Sequence, residues 1–495
     1  MKKNMATEKN VMIGWATRDI TPDRPVSLCG QFHMRISKGV QDPVTITALS
    51  VSSGDDAFIW VSCDLALIPQ AVLAKSRAKL KKRIPKFPSK KLVMNATHTH
   101  TAPDPFGLWY PDPPPGVMTP AEYGEFLSDR VADAAAESWR ARKPGAVSWG
   151  CGYAVISHNR RVVYSDDLSQ RPGFIRMPGT KTERNARMYG DTTDPKFMNF
   201  EGSEDHRVNI LFTFDERKTL TGAVINQACP SQATESLEVI SADFWHEVRL
   251  ELKKRHGENL YILPQCSPAG DLSPHLQFNK KAQQRMLALK HRTLRQEIAC
   301  RLASAFDEMF PWAQDDIRRE IVLQHSVRTI SLVRRLITEE EYQAARADLA
   351  LLDAAPPVPV QGGKLAYINR EDVRFARKFR VHQILARYEE QKAQPALPME
   401  LHVIRVGDVV LATNTFELFP DYGTRIIARS PAVQTFLVQL AAGGAGSYLA
   451  TQRAIEGESY SACQYCNTVG PEGGDQLVRE TVKSIHALWK KEAGL

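Results

Sequence analysis

The sequence contains no apolar run long enough to form a membrane-spanning helix, which excludes a helical membrane protein. Residues 1–10 are polar and lack the apolar stretch of a secretory signal peptide. As it stands the chain is expected in the cytoplasm, and as a secreted or periplasmic protein if an export signal has been removed. Internal repeats and low-complexity tracts are absent, which argues against a solenoid or a largely disordered chain. Cysteine is sparse: eight residues are scattered over 495, which does not suit a small domain stapled by disulfides. Cys463 and Cys466 form one CxxC with no second pair, and read as two ordinary thiols in a loop. The net charge of +8 is modest for this length. The densest basic run, residues 75–91, lacks the interleaved pattern of known nucleic-acid modules. It reads as a solvated helix face running into a loop marked by Pro85 and Pro88, so nucleic acid is not an expected partner.

What is present is an ordinary globular balance, 43% hydrophobic and 24% charged, in a chain long enough for one large domain or two smaller ones. Strands are predicted over residues 44–51 and 57–61 around the turn Ser53-Gly54-Asp55-Asp56, with a helix over 70–82 and a strand over 91–94. Thr119 followed by Pro120 predicts the start of a helix running to about residue 142. Residues 159–207 form a long arginine-, aspartate- and glycine-rich excursion of the kind that is usually functional or disordered. A hairpin is expected from 208–214 and 220–227. Helices follow over 244–256, 280–310, 339–352 and 371–394, then strands over 400–404 and 409–413 and a last helix over 475–492. The proline- and glycine-rich segment 353–363 is flanked by helices and is not read as a domain boundary. Strand–helix alternation of this kind predicts an α/β fold.

Four local signals carry chemistry. Asn95-Ala96-Thr97-His98-Thr99-His100-Thr101 ends an apolar strand. If strand alternation continues, His98 and His100 project from one face, as a metal ligand beside a second imidazole or as a pair of structural histidines. In Ala269-Gly270-Asp271-Leu272-Ser273-Pro274 the glycine permits a tight turn and the proline holds Ser273 extended, at an active site or in a plain surface turn. Glu417 lies in an apolar run just past a strand, where a carboxylate must be paired, protonated or bound to a metal. Gly443-Gly444-Ala445-Gly446-Ser447-Tyr448 allows close backbone approach and delivers a phenol.

Taken in order, Ala16–Pro22, the Thr97-His98-Thr99-His100 pair, Ser157-His158-Asn159-Arg160, Gly270–Pro274, Phe416-Glu417 and Tyr448-Leu449-Ala450-Thr451 resemble the neutral (non-lysosomal) ceramidases. The resemblance spans the chain apart from its middle helices. It implies an α/β fold of mixed β-sheets with packed helices, forming one catalytic domain over residues 11–495 with a helical insertion at about 280–395. It also implies zinc as cofactor, with His98, Glu417 and Tyr448 as three of four ligands. Ser273 matches the active-site serine, His100 the second imidazole, and Arg160 an arginine that holds the substrate head or the oxyanion. Tyr460 falls where that family keeps a tyrosine facing the scissile carbonyl.

Three departures stand out. Where the resemblance calls for a second zinc histidine, the sequence has Cys229 in Ala228-Cys229-Pro230-Ser231, read first as a thiolate ligand, then as a nucleophile, then as a buried thiol. The immunoglobulin-like domain that follows the catalytic domain in many ceramidases is expected to have no counterpart here. The mouth combines an aromatic, proline-stiffened segment (Phe106, Trp109, Tyr110) with the arginines of 159–207, Arg161, Arg171, Arg176, Arg184 and Arg187 among them. That mouth is expected to be polar and cationic, or else its arginines face water. The expected activity is hydrolysis of an N-acyl amide on a small-molecule substrate, either an N-acyl lipid or a polar, sugar-like molecule cleaved on the same fold. A non-catalytic descendant that only binds a ligand is the third alternative. Nothing in the sequence sets the oligomeric state.

Overall fold

The computed structural model describes residues 8–354, 370–441, 443 and 447–489. Two β-sheets stack face to face, and helices cover both outer faces. The larger sheet has nine strands. From one edge its main path runs Tyr261–Cys266, Leu220–Gln227, Arg207–Asp215, Lys143–Tyr153, Lys9–Asp19, Thr45–Ser53, Asp56–Cys63 and Leu92–Ala96. The smaller sheet runs Leu323–Val333, Ala396–Val406, Val409–Thr413 and Gln434–Val438.

The layering follows from the period-2 side-chain alternation of strands whose two faces are both covered. Trp15, Leu49, Val51, Trp60, Leu211 and Val224 of the larger sheet meet Ile404, Val406, Leu411, Phe436 and Val438 of the smaller one in a shared apolar core. The opposite face of the larger sheet, with Ile46, Ala48, Ile59 and Val61, packs on helices Gln70–Arg83 and Pro120–Arg140. Further along that face, Ile210, Phe212 and Ile225 pack on Phe244–His256 and Leu294–Asp315. The outer face of the smaller sheet is covered by Pro420–Ile427 and Pro471–Trp489. This is the α/β architecture of mixed sheets and packed helices that the sequence predicts. Among the described residues no helix is long and apolar enough to cross a membrane.

Local chemistry explains the element starts. Thr119 accepts from the Glu122 backbone while the Glu122 carboxylate accepts from the Thr119 backbone, a complete capping box with proline in the first turn. The single helix predicted over 280–310 is instead two, Lys280–Leu289 and Leu294–Asp315, because Thr293 and Gln296 form a second capping box. The excursion 159–207 is not structureless: Arg161–Tyr164 pairs with both Ala186–Met188 and Phe197–Phe200. Leu323–Val333 is a long strand that the sequence pattern does not announce. The segment 353–363 beyond residue 354, and most of the glycine run at 443–446, lie outside the described residues.

Within the two stacked sheets, three pairs among the described strands are parallel: Asp56–Cys63 with Leu92–Ala96, Leu220–Gln227 with Tyr261–Cys266, and Val409–Thr413 with Gln434–Val438. The chain leaving the C-terminal ends of these pairs carries His98, His100, Cys229, Ser273, Glu417 and, further on, Tyr448. Asn226 Nδ2 donates to the Leu437 carbonyl, and the Gln439 backbone donates to the Cys266 carbonyl, so the two sheets are pinned together at that end.

Candidate active site

His98 lies two residues beyond the end of its strand, with φ +64. The expected strand alternation therefore does not continue to His100. The two rings nevertheless meet edge to face at 4.8 Å, brought together by the turn. A non-glycine residue in left-handed backbone is strained and persists where its surroundings hold it. Here the backbone N–H of His98 donates to the Leu65 carbonyl, and its Nδ1 lies 2.7 Å from the Ala66 carbonyl. A carbonyl only accepts, so Nδ1 carries a proton.

Nε2 of the same ring sits 3.1 Å from Glu417 Oε2. In neutral imidazole that nitrogen is an acceptor, and so is the carboxylate. Two acceptors at this distance require a proton or a cation between them. Glu417 and Tyr448 lie side by side because Glu417–Leu418 pairs in parallel with Tyr448–Leu449. Burial alone would raise the Glu417 carboxyl, but His98 and Arg160 outweigh it and hold the group below the usual range. Burial pushes the Tyr448 phenol well up, and neighbouring Glu417 pushes the same way.

Arg160 is buried on the other side of Tyr448. It donates to the Gly270 carbonyl at 3.0 Å and to the Tyr448 hydroxyl at 3.3 Å, with Tyr189 and Gln232 oxygens at 3.4 Å. Its Nε has no partner among the described residues. His100 Nε2 lies 2.8 Å from the Gln232 amide nitrogen, and Nδ1 lies 3.5 Å from Glu235. Burial depresses the His100 imidazole, partly offset by Glu235. The Tyr460 ring packs edge to face on Tyr448 at 5.4 Å and on Phe32 at 5.0 Å.

Two expected members stand apart. Ser273 is buried, accepting from the Tyr189 hydroxyl at 3.1 Å and from the His275 backbone at 3.2 Å. It reaches Arg160 only through Tyr189. Cys229 points away from the niche into the apolar layer of Phe244, Trp245 and Ile156, where its thiol lies 3.4 Å from the Ile156 carbonyl. Burial raises that thiol well above its ordinary value. Both the ligand and the nucleophile readings of Cys229 lack support in this geometry, because the backbone after Gln227 turns the side chain toward the helices.

A cavity of about 270 Å³ opens onto His98, His100, Glu417, Tyr448 and Tyr460. Its walls are aromatic and aliphatic: Phe106, Trp109 and Tyr110 of the proline-stiffened segment, with Phe32, Leu67, Phe379 and Tyr465. The polar, cationic mouth expected from residues 159–207 is not found there. Arg161 pairs with Glu201, Arg171 with Asp166 and Asp194, Arg176 with Asp348, and Arg187 with Glu183. None of these arginines lines the cavity. Cys466 lies in the wall with Cys463 beside it, Sγ to Sγ 3.3 Å, both as free thiols.

Among the described residues no three His, Cys, Asp or Glu side chains converge as a metal-binding group. The niche has two such ligands and a phenol. That set is chemically competent for zinc, since a catalytic site needs three N or O donors and an open position. The facing acceptors of His98 and Glu417 are the structural reason to place a cation there, and the Ala66 carbonyl orients the imidazole as an outer-shell partner does. Gln232, Glu235 and Tyr189 were not singled out from sequence. Gln232 and Glu235 follow the strand whose end carries Cys229, which is the one signal that points to them; Tyr189 has none.

No family model matches the chain, and no curated protein does. Among solved structures, the neutral ceramidase of Pseudomonas aeruginosa is similar over 98% of this chain and 75% of its own, at 18% identity with a TM-score of 0.66. A ceramidase complexed with C2 is similar over 98% and 76%, at 17% identity with a TM-score of 0.65. The chain thus has a neutral-ceramidase-like fold.

Proposed function

We propose that the protein is a zinc-dependent hydrolase of N-acyl amides, with His98, Glu417 and Tyr448 holding the metal. The carrying observation is the convergence of these three residues at the floor of an aromatic cavity, with Arg160 buried against the Tyr448 hydroxyl. Similarity of fold to ceramidases supports the choice of an amide, and the apolar walls support an acyl chain as the part that is bound. Zinc held there would acidify a bound water and polarise the carbonyl.

The chain's own groups supply the rest. Arg160, already donating toward Tyr448, and Tyr460 beside it offer donors to an oxyanion. His100, oriented by Gln232 and Glu235, accepts the proton of the attacking water and returns it to the amine as the C–N bond breaks. Ser273 acts through Tyr189 on Arg160 as a positioning residue. The carbohydrate reading loses one of its two motives, because Arg161, Arg171, Arg176 and Arg187 pair with carboxylates and do not line the cavity.

Hydrolysis of a fluorogenic lauroyl amide tests the proposal. Wild type should turn it over, and Glu417→Gln and Arg160→Met should each lower kcat/KM by roughly 100-fold or more. Full activity in Glu417→Gln would reject the assignment.

A further inference from the structure

The cavity's aromatic wall contains a cation with no partner of opposite charge among the described residues. Arg380 projects from helix Glu371–Ala393, which lines one side with Ala376, Phe379, Arg380, Gln383 and Arg387. These positions fall on one helical face, three or four residues apart. The Arg380 guanidinium lies over the Phe32 ring at 4.4 Å and near the Tyr465 ring at 4.9 Å. No ion pair or hydrogen bond engages it among the described residues. The two ring contacts hold the guanidinium in place without using its N–H groups as hydrogen-bond donors.

The neighbourhood is positive overall. Arg387, buried in the same wall, donates to the carbonyls of Gln464, Arg335 and Asn467 rather than to a carboxylate. Burial, together with Arg335 and Arg334, pushes its guanidinium down to about 10, so a further positive charge is disfavoured here. Glu417, on the floor and engaged by His98, is the one acid lining the cavity among the described residues. Two rings, Phe32 and Tyr460, separate Arg380 from Tyr448, which lies beside Glu417. A neutral amphiphile would leave this cation facing apolar surface. An anionic group would meet a preoriented donor fork.

We infer that the substrate is an anionic acyl amide, an N-acylated amino acid or aminosulfonate, whose acid group is received by Arg380. This rests on the hydrolase proposal and deepens it by naming the substrate class. The test uses the full chain and a series of lauroyl amides: glycine, β-alanine, 6-aminohexanoate and taurine conjugates against the neutral ethanolamide. Wild type should prefer at least one anionic member by roughly tenfold in kcat/KM. Arg380→Met should abolish that preference through KM, and Arg380→Lys should restore part of it. Equal use of anionic and neutral amides by wild type, or an unchanged preference in Arg380→Met, would overturn the inference. Should no amide be cleaved, the hydrolase proposal fails separately. Calorimetric titration with the same compounds then decides: tighter anion binding by wild type than by Arg380→Met upholds recognition, and equal binding rejects it.

Discussion

At Asp271 the chemistry of one buried carboxyl sets a pH dependence. Burial raises it to about 7, against a single donor, Asn159 Nδ2, at 2.7 Å; Asp421 and Glu201 reinforce the rise, and Arg161 opposes it. A folded-state value above the unfolded one contributes stability that is complete below about pH 4 and is lost as pH rises through about 7. The difference in Tm between wild type and Asp271→Asn should therefore shift against wild type from pH 4 to pH 8. A constant difference would contradict the raised carboxyl. Gly30 makes a steric statement. Its φ is +101, and a Cβ there would run into the His100 ring. Gly30→Ala should displace His100, costing about 1 kcal/mol or more in stability and most of the activity, read by urea unfolding and by the lauroyl amide assay. His98 and Glu417 stood out because each sits in a short run just past a strand, and Tyr448 because it ends a run of small residues; the metal role proposed for the three came from the family resemblance. Cys229 sits in an equivalent run, yet which way a side chain turns after a strand depends on the backbone that follows. Gln232, Glu235 and Tyr189 escaped notice because their roles are defined only by what they touch.

The loop that delivers Tyr460 depends on a buried ion pair. Glu458, Ser459 and Ser461 all have positive φ. Arg161 and Glu201, with side chains 0% and 2% exposed, lie beneath them. Arg161 donates to the carbonyls of Ala454, Glu458 and Tyr460 as well as to Glu201. Glu201→Gln leaves a buried cation without its counter-charge, which should cost about 3–5 kcal/mol of unfolding free energy and raise KM by loosening Tyr460. A loss below about 1 kcal/mol would show that the loop is held by other contacts. Elements with strong local signals were legible: the capped helix at Thr119, the paired strands at 45–63, and the helix Phe244–His256. The strands of 159–207 were not, because Arg161–Tyr164 pairs with partners more than twenty residues away and its alternation is hidden among charged residues. Of the arginines counted there as a cationic mouth, Arg171 and Arg187 pair with the nearby Asp166 and Glu183, while Arg161 and Arg176 pair with Glu201 and Asp348, which sequence order does not place beside them.

On the scale of the molecule, stacking two sheets with their parallel strand pairs ending at one side gathers segments from across the chain into one niche. Residues 98 and 417 touch although 319 positions separate them. Such a site needs the whole fold, which is why sequence order suggested its members but not their arrangement. The central claim is that His98, Glu417 and Tyr448 hold a catalytic zinc while Cys229 does not. Elemental analysis of wild type, Glu417→Ala and Cys229→Ser tests it most directly. Stoichiometric zinc in wild type and in Cys229→Ser, with loss in Glu417→Ala, is the predicted result. Zinc lost on replacing Cys229 but retained without Glu417 would contradict it.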